Sequence, residues 1–390
     1  MLAAALAASA VVCVTVFTVF LCLSRRRRRT KFRGRQRLTT IHRSPSVKAF
    51  DGANEPDNVQ RRPVLGVEQE FSRDALCFLK TIGEGDFTKL MKGEASGLLH
   101  SDSVSTVLIK TLASTSPKAA RRKFLAEISV LSRLEHANIL PLLAVCSEID
   151  PPCMIFDYSE IEDLKSYLLA ANQVGTSGGD DSMFSMLRTP DLSGILLDIV
   201  MAVDYLQSRN ICHTDISTRH CQVRSGGQVR LAPFQFIVPS KYTDDYCVVG
   251  DYEVEDGFRG ARTLPVRWMA PESLEQGVFH LKSDIWALGV TAWEIFSFGA
   301  TPYRGFSTDE VIDQVPSGQL VLSTPPQCPI QLWKVIRACL AYEPSKRIPA
   351  STLLRQVKQL HANISRSNVI LDLGAVDGDI GDGLLISPVE

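Results

Sequence analysis

The first 45 residues contain no aspartate or glutamate, and residues 2–23 contain no charge of either sign. The chain has ten cysteines but no Cys-x-x-Cys pair and no cysteine–histidine cluster at zinc spacing, which excludes a structural zinc module. Cys13 and Cys22 sit in the charge-free run and the other eight are scattered, a pattern of reduced thiols in a cytosolic domain. No internal repeat is present, so a repeat architecture is excluded. The formal net charge of −1 hides an asymmetry. Ten basic residues (Arg25 to Arg29, Lys31, Arg33, Arg35, Arg37, Arg43) lie within the first 45 positions, which leaves 32 bases against 43 acids elsewhere, a net of −11. So acidic a body excludes a nucleic-acid partner.

What is there begins with Leu2–Leu23, an apolar run. Twenty-two helical residues reach about 33 Å, enough for a hydrocarbon core of ~30 Å. A secretory signal would carry its bases before the run; here only Met1 precedes it and five arginines follow. That order predicts a single-pass transmembrane helix over 2–23 with the C-terminal part in the cytoplasm, at the plasma membrane. The basic residues predict contact with anionic membrane lipids. Only Met1 precedes the run, so the chain is expected to be a piece of a longer membrane protein or a protein with a tiny outer part. Residues 24–70, with Pro45, Pro56 and Pro63, read as a basic juxtamembrane linker.

From Phe71 the pattern changes. Alternating apolar residues predict strands over Leu76–Ile82, Phe87–Met91 and Val104–Thr111, then Leu140–Cys146 and Cys153–Tyr158. Helical spacing over Lys118–Leu134 predicts a helix between them. Beyond Glu160 the signals are helical: Leu192–Gln207, Ser283–Ser297, Thr308–Val315, Pro329–Ala341 and Ala350–Ala362. Gly175–Asp181 reads as a flexible insert, and 363–390 as a flexible acidic tail. Strands followed by helices make an α+β domain over 71–362, with a cleft between two lobes.

Several short motifs lie in order along that domain. Gly83-Glu84-Gly85-Asp86-Phe87-Thr88 is either a phosphate-cradling loop or a plain hairpin turn. Val107-Leu108-Ile109-Lys110 is followed on the next helix by Glu127. His213-Thr214-Asp215-Ile216-Ser217-Thr218-Arg219-His220 precedes Pro233-Phe234-Gln235. Then come Leu264-Pro265-Val266-Arg267-Trp268-Met269-Ala270-Pro271-Glu272, Asp284-Ile285-Trp286-Ala287-Leu288-Gly289, and Arg347.

From Phe71 to about Ala362 these motifs resemble the receptor tyrosine kinases. Within them the chain is similar to the inactive off-track group, also called protein tyrosine kinase seven. That likeness lies in Val-Leu-Ile-Lys-Thr-Leu (107–112), Leu-Glu-His-Ala-Asn-Ile-Leu (134–140), Cys-Met-Ile-Phe-Asp-Tyr (153–158) and Asp-Leu-Lys-Ser-Tyr-Leu (163–168). It departs at Thr214 and His220, where the group is more kinase-like.

The resemblance implies a two-lobed protein kinase-like fold with a β-rich N-lobe and a helical C-lobe. It makes Gly83, Gly85, Lys110 and Glu127 a degenerate nucleotide site, the Lys110–Glu127 pair serving either the phosphates or a purely structural bridge. Leu108 stands where a smaller residue roofs adenine, and Gln222 in the floor beneath it, so both occlude that space. Asp215 is the retained base position. Pro233 and His220 replace the two Mg²⁺ ligands, so no metal is expected. Leu131, His213 and Phe234 are expected to stack as a column between lobes, and Glu272, Asp284 and Arg347 to be structural, with Glu272 and Arg347 a buried pair. Tyr242, Tyr246 and Tyr252 are either phosphorylation sites that dock a partner or unmodified exposed loop tyrosines.

The function expected is a catalytically impaired, membrane-anchored signalling co-receptor or scaffold that binds other receptors or cytosolic signalling proteins. By the same resemblance it acts in Wnt and planar cell polarity signalling, with no cofactor. One alternative is a weakly active tyrosine kinase using ATP and Mg²⁺, with a displaced acid such as Asp244 on the metal; another is an inert fragment or decaying gene copy.

Overall fold

The computed structural model describes residues 70–376 apart from 86, 159–162, 178–186, 234–241, 243–244 and 255–257. The expected membrane helix over 2–23, the linker up to residue 69, Phe234 and Asp244 lie outside the described residues. Among the described residues no helix is long and apolar enough to cross a membrane.

Strands β1 (Leu76–Glu84), β2 (Thr88–Ser96), β3 (Val104–Leu112), β4 (Leu142–Cys146) and β5 (Cys153–Asp157) form one antiparallel sheet in the order β1-β2-β3-β5-β4. The period of two divides β3 between two cores. Val107 and Ile109 join Ala144, Cys146, Cys153 and Ile155 on the outer face. Leu108 and Leu112 join Leu90, Met154 and Phe156 on the inner face, where helix α1 (Lys118–Leu131) packs through Phe124, Ile128 and Leu131. Gly93 is required by close approach: a Cβ there would lie 2.5 Å from Ile109 Cδ1 and 2.6 Å from the Cys77 carbonyl.

The second lobe holds α2 (Leu164–Ser177), α3 (Thr189–Ser208), hairpin β6 (Cys221–Val223) with β7 (Val229–Leu231), and a second hairpin, β8 (Cys247–Val254) with β9 (Phe258–Leu264). Helices α4 (Pro271–Gln276), α5 (Leu281–Phe296), α6 (Thr308–Gln314), α7 (Ile330–Arg337) and α8 (Ala350–Val376) complete it. Its core is the apolar stripe of α3 (Leu192, Leu196, Ile199, Val203) against α5, α7 and α8. Ser307 opens α6 with a capping box, its hydroxyl and backbone N–H both bonded to Glu310 Oε2 at 2.9 and 2.8 Å. Asn138 ties the lobes together: its carbonyl accepts from Leu231 N at 2.8 Å and its amide donates to the Val229 carbonyl at 3.0 Å.

Three expectations are corrected. The last helix does not stop at Ala362 but runs to Val376, into the segment read as tail. Helix α2 continues through Gly175 to Ser177, where a flexible insert was expected, because its first turns (Leu164, Leu168, Ala171) are anchored in the core. Tyr252, one of the tyrosines read as lying in a loop, falls on a strand of the β8–β9 hairpin.

Candidate functional site

The site is built on the loop Ile211–His220 between α3 and β6. Asp284, in the first turn of α5, shapes it: its carboxylate accepts from the backbone N–H of His213 at 2.6 Å and of Thr214 at 2.9 Å. These bonds hold Thr214 at φ 69°, a left-handed conformation that a β-branched residue rarely adopts. Burial pushes the Asp284 pKa up to about 6 against those bonds. His213 is buried and pairs with the Ala232 carbonyl at 2.8 Å; burial pushes its pKa down to about 4, so the ring is neutral. Leu131 and Ala232 share one apolar cluster beside it; Phe234, the third member of the expected column, lies outside the described residues.

Asp215 is fully engaged. Its Oδ1 accepts from Arg219 Nη2 at 2.8 Å; its Oδ2 accepts from the Tyr246 hydroxyl at 2.6 Å and lies 3.1 Å from His220 Nε2. Burial by itself would raise the carboxyl pKa, but the Arg219 guanidinium and the bonds from His220 and Tyr246 outweigh it and hold the group well below the usual carboxylate range. The same tyrosine hydroxyl accepts from Arg219 Nε at 2.8 Å and lies 2.9 Å from His220 Nε2. Burial drives the Tyr246 pKa far up, so the phenol stays protonated. Arg219 is buried between two rings, its guanidinium 4.5 Å from the Tyr246 centroid and 4.1 Å from that of Trp268. Asp245 approaches Arg219 Nη1 at 3.8 Å and also bonds Lys165. Tyr242 is buried and bonds Asp163 and Ser166.

The reading of Tyr242 and Tyr246 as exposed loop tyrosines is therefore corrected: both are held inward by charged partners. Tyr252 falls on β8. Arg219, the hub of this cluster, was missed as a functional residue. It stands four residues after Asp215 in the same motif, and the loop folds back to bring the two side chains to 2.8 Å.

Across the cleft, Lys110 Nζ bonds both carboxylate oxygens of Glu127, at 2.6 and 2.8 Å, with both side chains buried. Burial raises the Glu127 pKa while Lys110 opposes it. Gly83 lies in register with Leu90, and Gly85 N bonds the Thr88 carbonyl at 2.8 Å, so the glycine loop closes a hairpin. Leu108 is 8% exposed, faces the inner apolar cluster and pairs in register with Phe156. Gln222 donates from Nε2 to the Asp157 carbonyl at 3.2 Å, while its Oε1 is buried with no hydrogen-bond partner among the described residues. In the helical lobe Arg347 makes a bidentate pair with Glu272 at 2.7 and 2.6 Å, with Arg347 buried.

Protein kinases use ATP with Mg²⁺, and the donor set here does not fit the metal. Pro233 offers no side-chain oxygen. His220 offers a nitrogen already shared between Asp215 and Tyr246, and imidazole suits a hard cation poorly. Among the described residues no group of three or more His, Cys, Asp and Glu could hold a metal ion.

A family model described as protein tyrosine and serine/threonine kinase matches residues 76–357. The chain is 33% identical over 303 residues to the tyrosine-protein kinase transmembrane receptor Ror of Drosophila melanogaster, covering 78% of this chain and 41% of that protein. It is 30% identical over 295 residues to the tyrosine kinase receptor Cad96Ca of the same organism, covering 75% and 36%. It is 28% identical over 292 residues to the human inactive tyrosine-protein kinase 7, covering 75% and 26%. The chain thus spans less than half the length of each of these curated relatives.

Proposed function

The chain belongs to the protein tyrosine and serine/threonine kinase family, and from that premise we propose that its kinase-like domain is a binding module and not a phosphotransferase. In this reading it is the cytoplasmic part of a single-pass receptor at the plasma membrane, a co-receptor or scaffold for other receptors or cytosolic signalling proteins. Its similarity to one relative named a transmembrane receptor and to another named inactive supports that reading. Wnt and planar cell polarity signalling remains the pathway proposed, on the resemblance alone, and anionic lipids the partner of the basic segment.

The observation that carries the reading is the state of Asp215. A general base must reach the hydroxyl it deprotonates. Here both carboxylate oxygens are taken by Arg219, His220 and Tyr246, and the residues that would bring Mg²⁺ to the phosphates are Pro233 and His220. Phosphoryl transfer is mostly positioning and charge stabilisation, and neither is supplied. Leu108 and Gln222 support the same reading from the nucleobase side.

The second reading, a weakly active tyrosine kinase, is favoured by one observation: the buried bidentate Lys110–Glu127 pair is fully assembled. One measurement separates the two. The full chain is expected to show no thermal shift with ATP, with or without Mg²⁺ or Mn²⁺, and no phosphotransfer to a tyrosine peptide. A metal-dependent shift together with transfer that Lys110→Ala and Asp215→Asn abolish establishes the second reading.

A further inference from the structure

The outer face of the N-lobe carries a chemistry that the cleft does not use. Cys146 ends β4 and Cys153 begins β5, and the two are direct register partners across the hairpin. Directly opposed residues in an antiparallel pair have Cα atoms ~4.5 or ~5.5 Å apart, and both spacings fall within the ~4.4–6.8 Å that a disulfide bridges. The two side chains sit on the same face, in the cluster with Ala144 and Ile155.

A cation completes the group. Arg73 Nη1 donates to Cys153 Sγ at 3.1 Å and to the Pro151 carbonyl at 3.3 Å. The neighbouring Cys146 thiol and the Arg73 guanidinium hold the Cys153 thiol below the ordinary range against its burial, while Cys146 is pushed up. A thiol of lowered pKa beside a guanidinium, next to a second thiol, is the arrangement of a nucleophilic and a resolving cysteine. Both cysteines are buried. Arg73, Pro151 and Thr111 stand in the wall of a cavity of about 480 Å³, so the side chain that bonds Cys153 also lines that cavity.

The same atoms hold the start of the domain. Cys146 Sγ donates to the Phe71 carbonyl at 3.0 Å. Phe71 N donates to the Val145 carbonyl at 2.7 Å, and Glu70 accepts from Ser147 N at 2.6 Å and Glu148 N at 3.0 Å. Residues 70–73, where the basic linker enters the domain, are therefore latched onto the β4–β5 hairpin partly through two thiol sulfurs.

We propose that Cys146 and Cys153 form a reversible cross-strand disulfide with a hydroperoxide as oxidant, and that oxidation loosens the latch on residues 70–73. The Cys153 thiolate attacks the peroxide oxygen, the O–O bond breaks, and hydroxide leaves and takes up a proton as water. The resulting sulfenic acid is attacked by Cys146 sulfur, a second water leaves with the Cys146 proton, and the S–S bond forms. Two thiols and one hydrogen peroxide give one disulfide and two waters, each sulfur losing one electron. The S–H that donates to Phe71 is lost and the Cys153 sulfur becomes a weaker acceptor for Arg73, while reducing thiols reverse the reaction.

The test uses the full chain and hydrogen peroxide, followed by alkylation of the remaining thiols, proteolysis and mass spectrometry. The expected product is a peptide pair joining Cys146 to Cys153, two hydrogen atoms lighter than the reduced pair and restored by dithiothreitol. Amide exchange in residues 70–75 should accelerate after oxidation in the wild type and not in Cys153→Ser. Arg73→Gln keeps both cysteines and should form the same disulfide roughly threefold more slowly for each tenfold loss of thiolate, since nucleophilicity rises as the thiol becomes more basic. Unfolding midpoints of the reduced variants establish that each is folded. Oxidation of exposed Cys77 while Cys146 and Cys153 both remain alkylatable overturns the pair. A disulfide that forms at the wild-type rate in folded Arg73→Gln overturns the role of the arginine, and unchanged exchange at 70–75 overturns the latch.

Discussion

Replacing Tyr246 by phenylalanine removes one oxygen and tests both the cluster and the function assigned to it. The ring remains, so the stacking of Arg219 at 4.5 Å is kept. What is lost is the hydroxyl's bond to Asp215 at 2.6 Å, its bond from Arg219 Nε at 2.8 Å and its contact with His220 at 2.9 Å. A hydrogen bond to a charged group contributes ~1.5–3 kcal/mol, and a buried donor left without its acceptor costs ~1–3 kcal/mol. His220 still reaches Asp215, which offsets part of the loss, so Tyr246→Phe should lower the unfolding free energy by about 2–4 kcal/mol. Urea unfolding followed by tryptophan fluorescence reads this directly, since Trp268 covers the other side of Arg219. The second readout is activity. The substitution frees one oxygen of Asp215 but supplies no metal ligand at Pro233 or His220, so ATP-dependent tyrosine phosphorylation should stay absent. Stability within ~0.5 kcal/mol of wild type, the range of an ordinary surface change, would refute the cluster. A gain of Mg²⁺-dependent transfer would refute the binding-module reading and make the tyrosine a lock on a working kinase.

Two further outcomes follow from the buried charges. Glu272→Gln leaves Arg347, buried and bidentate, without its counter-charge; the cost should be ~3–5 kcal/mol, read as a lowered thermal unfolding midpoint, with Arg347→Met in the same background adding much less than it costs alone. His213 is held neutral with a pKa of about 4, whereas an unfolded histidine protonates near 6.5. The unfolded state therefore binds the extra proton between those values: stability is full above about pH 6.5 and falls by about 3 kcal/mol as pH drops toward 4. Asp284, with its pKa raised to about 6, acts with the opposite sign, its contribution being lost as pH rises through 6. The difference between wild type and His213→Asn isolates the histidine, and a difference independent of pH would contradict its buried neutral state.

The two-lobed plan was legible because alternation along β3 and the three-to-four-residue stripe on α3 are local properties of the chain, as is the order of the motifs. The Lys110–Glu127 and Glu272–Arg347 pairs were legible too, through the resemblance of their motifs to the receptor tyrosine kinases. Element ends were less so. Helix α8 passes Ala362, and Ile364 beyond it packs against the core of the helical lobe, a contact that only the assembled lobe contains.

By itself the sequence determined the family and the two lobes, and it placed Pro233 and His220 where the resemblance expects metal ligands, since motifs and periodicity are read along the chain. Only the tertiary structure decided that Asp215 is bound by three partners, that Tyr242 and Tyr246 point inward, and that Cys146 meets Cys153 beneath Arg73. Those are facts about distance between residues remote along the chain, Asp215 and Tyr246 among them, and periodicity carries no information about such distances. Burial then changed their chemistry: a tyrosine that reads as a surface phosphorylation site becomes, in a low-dielectric cluster with one arginine and one aspartate, a hydrogen-bond donor that occupies the base.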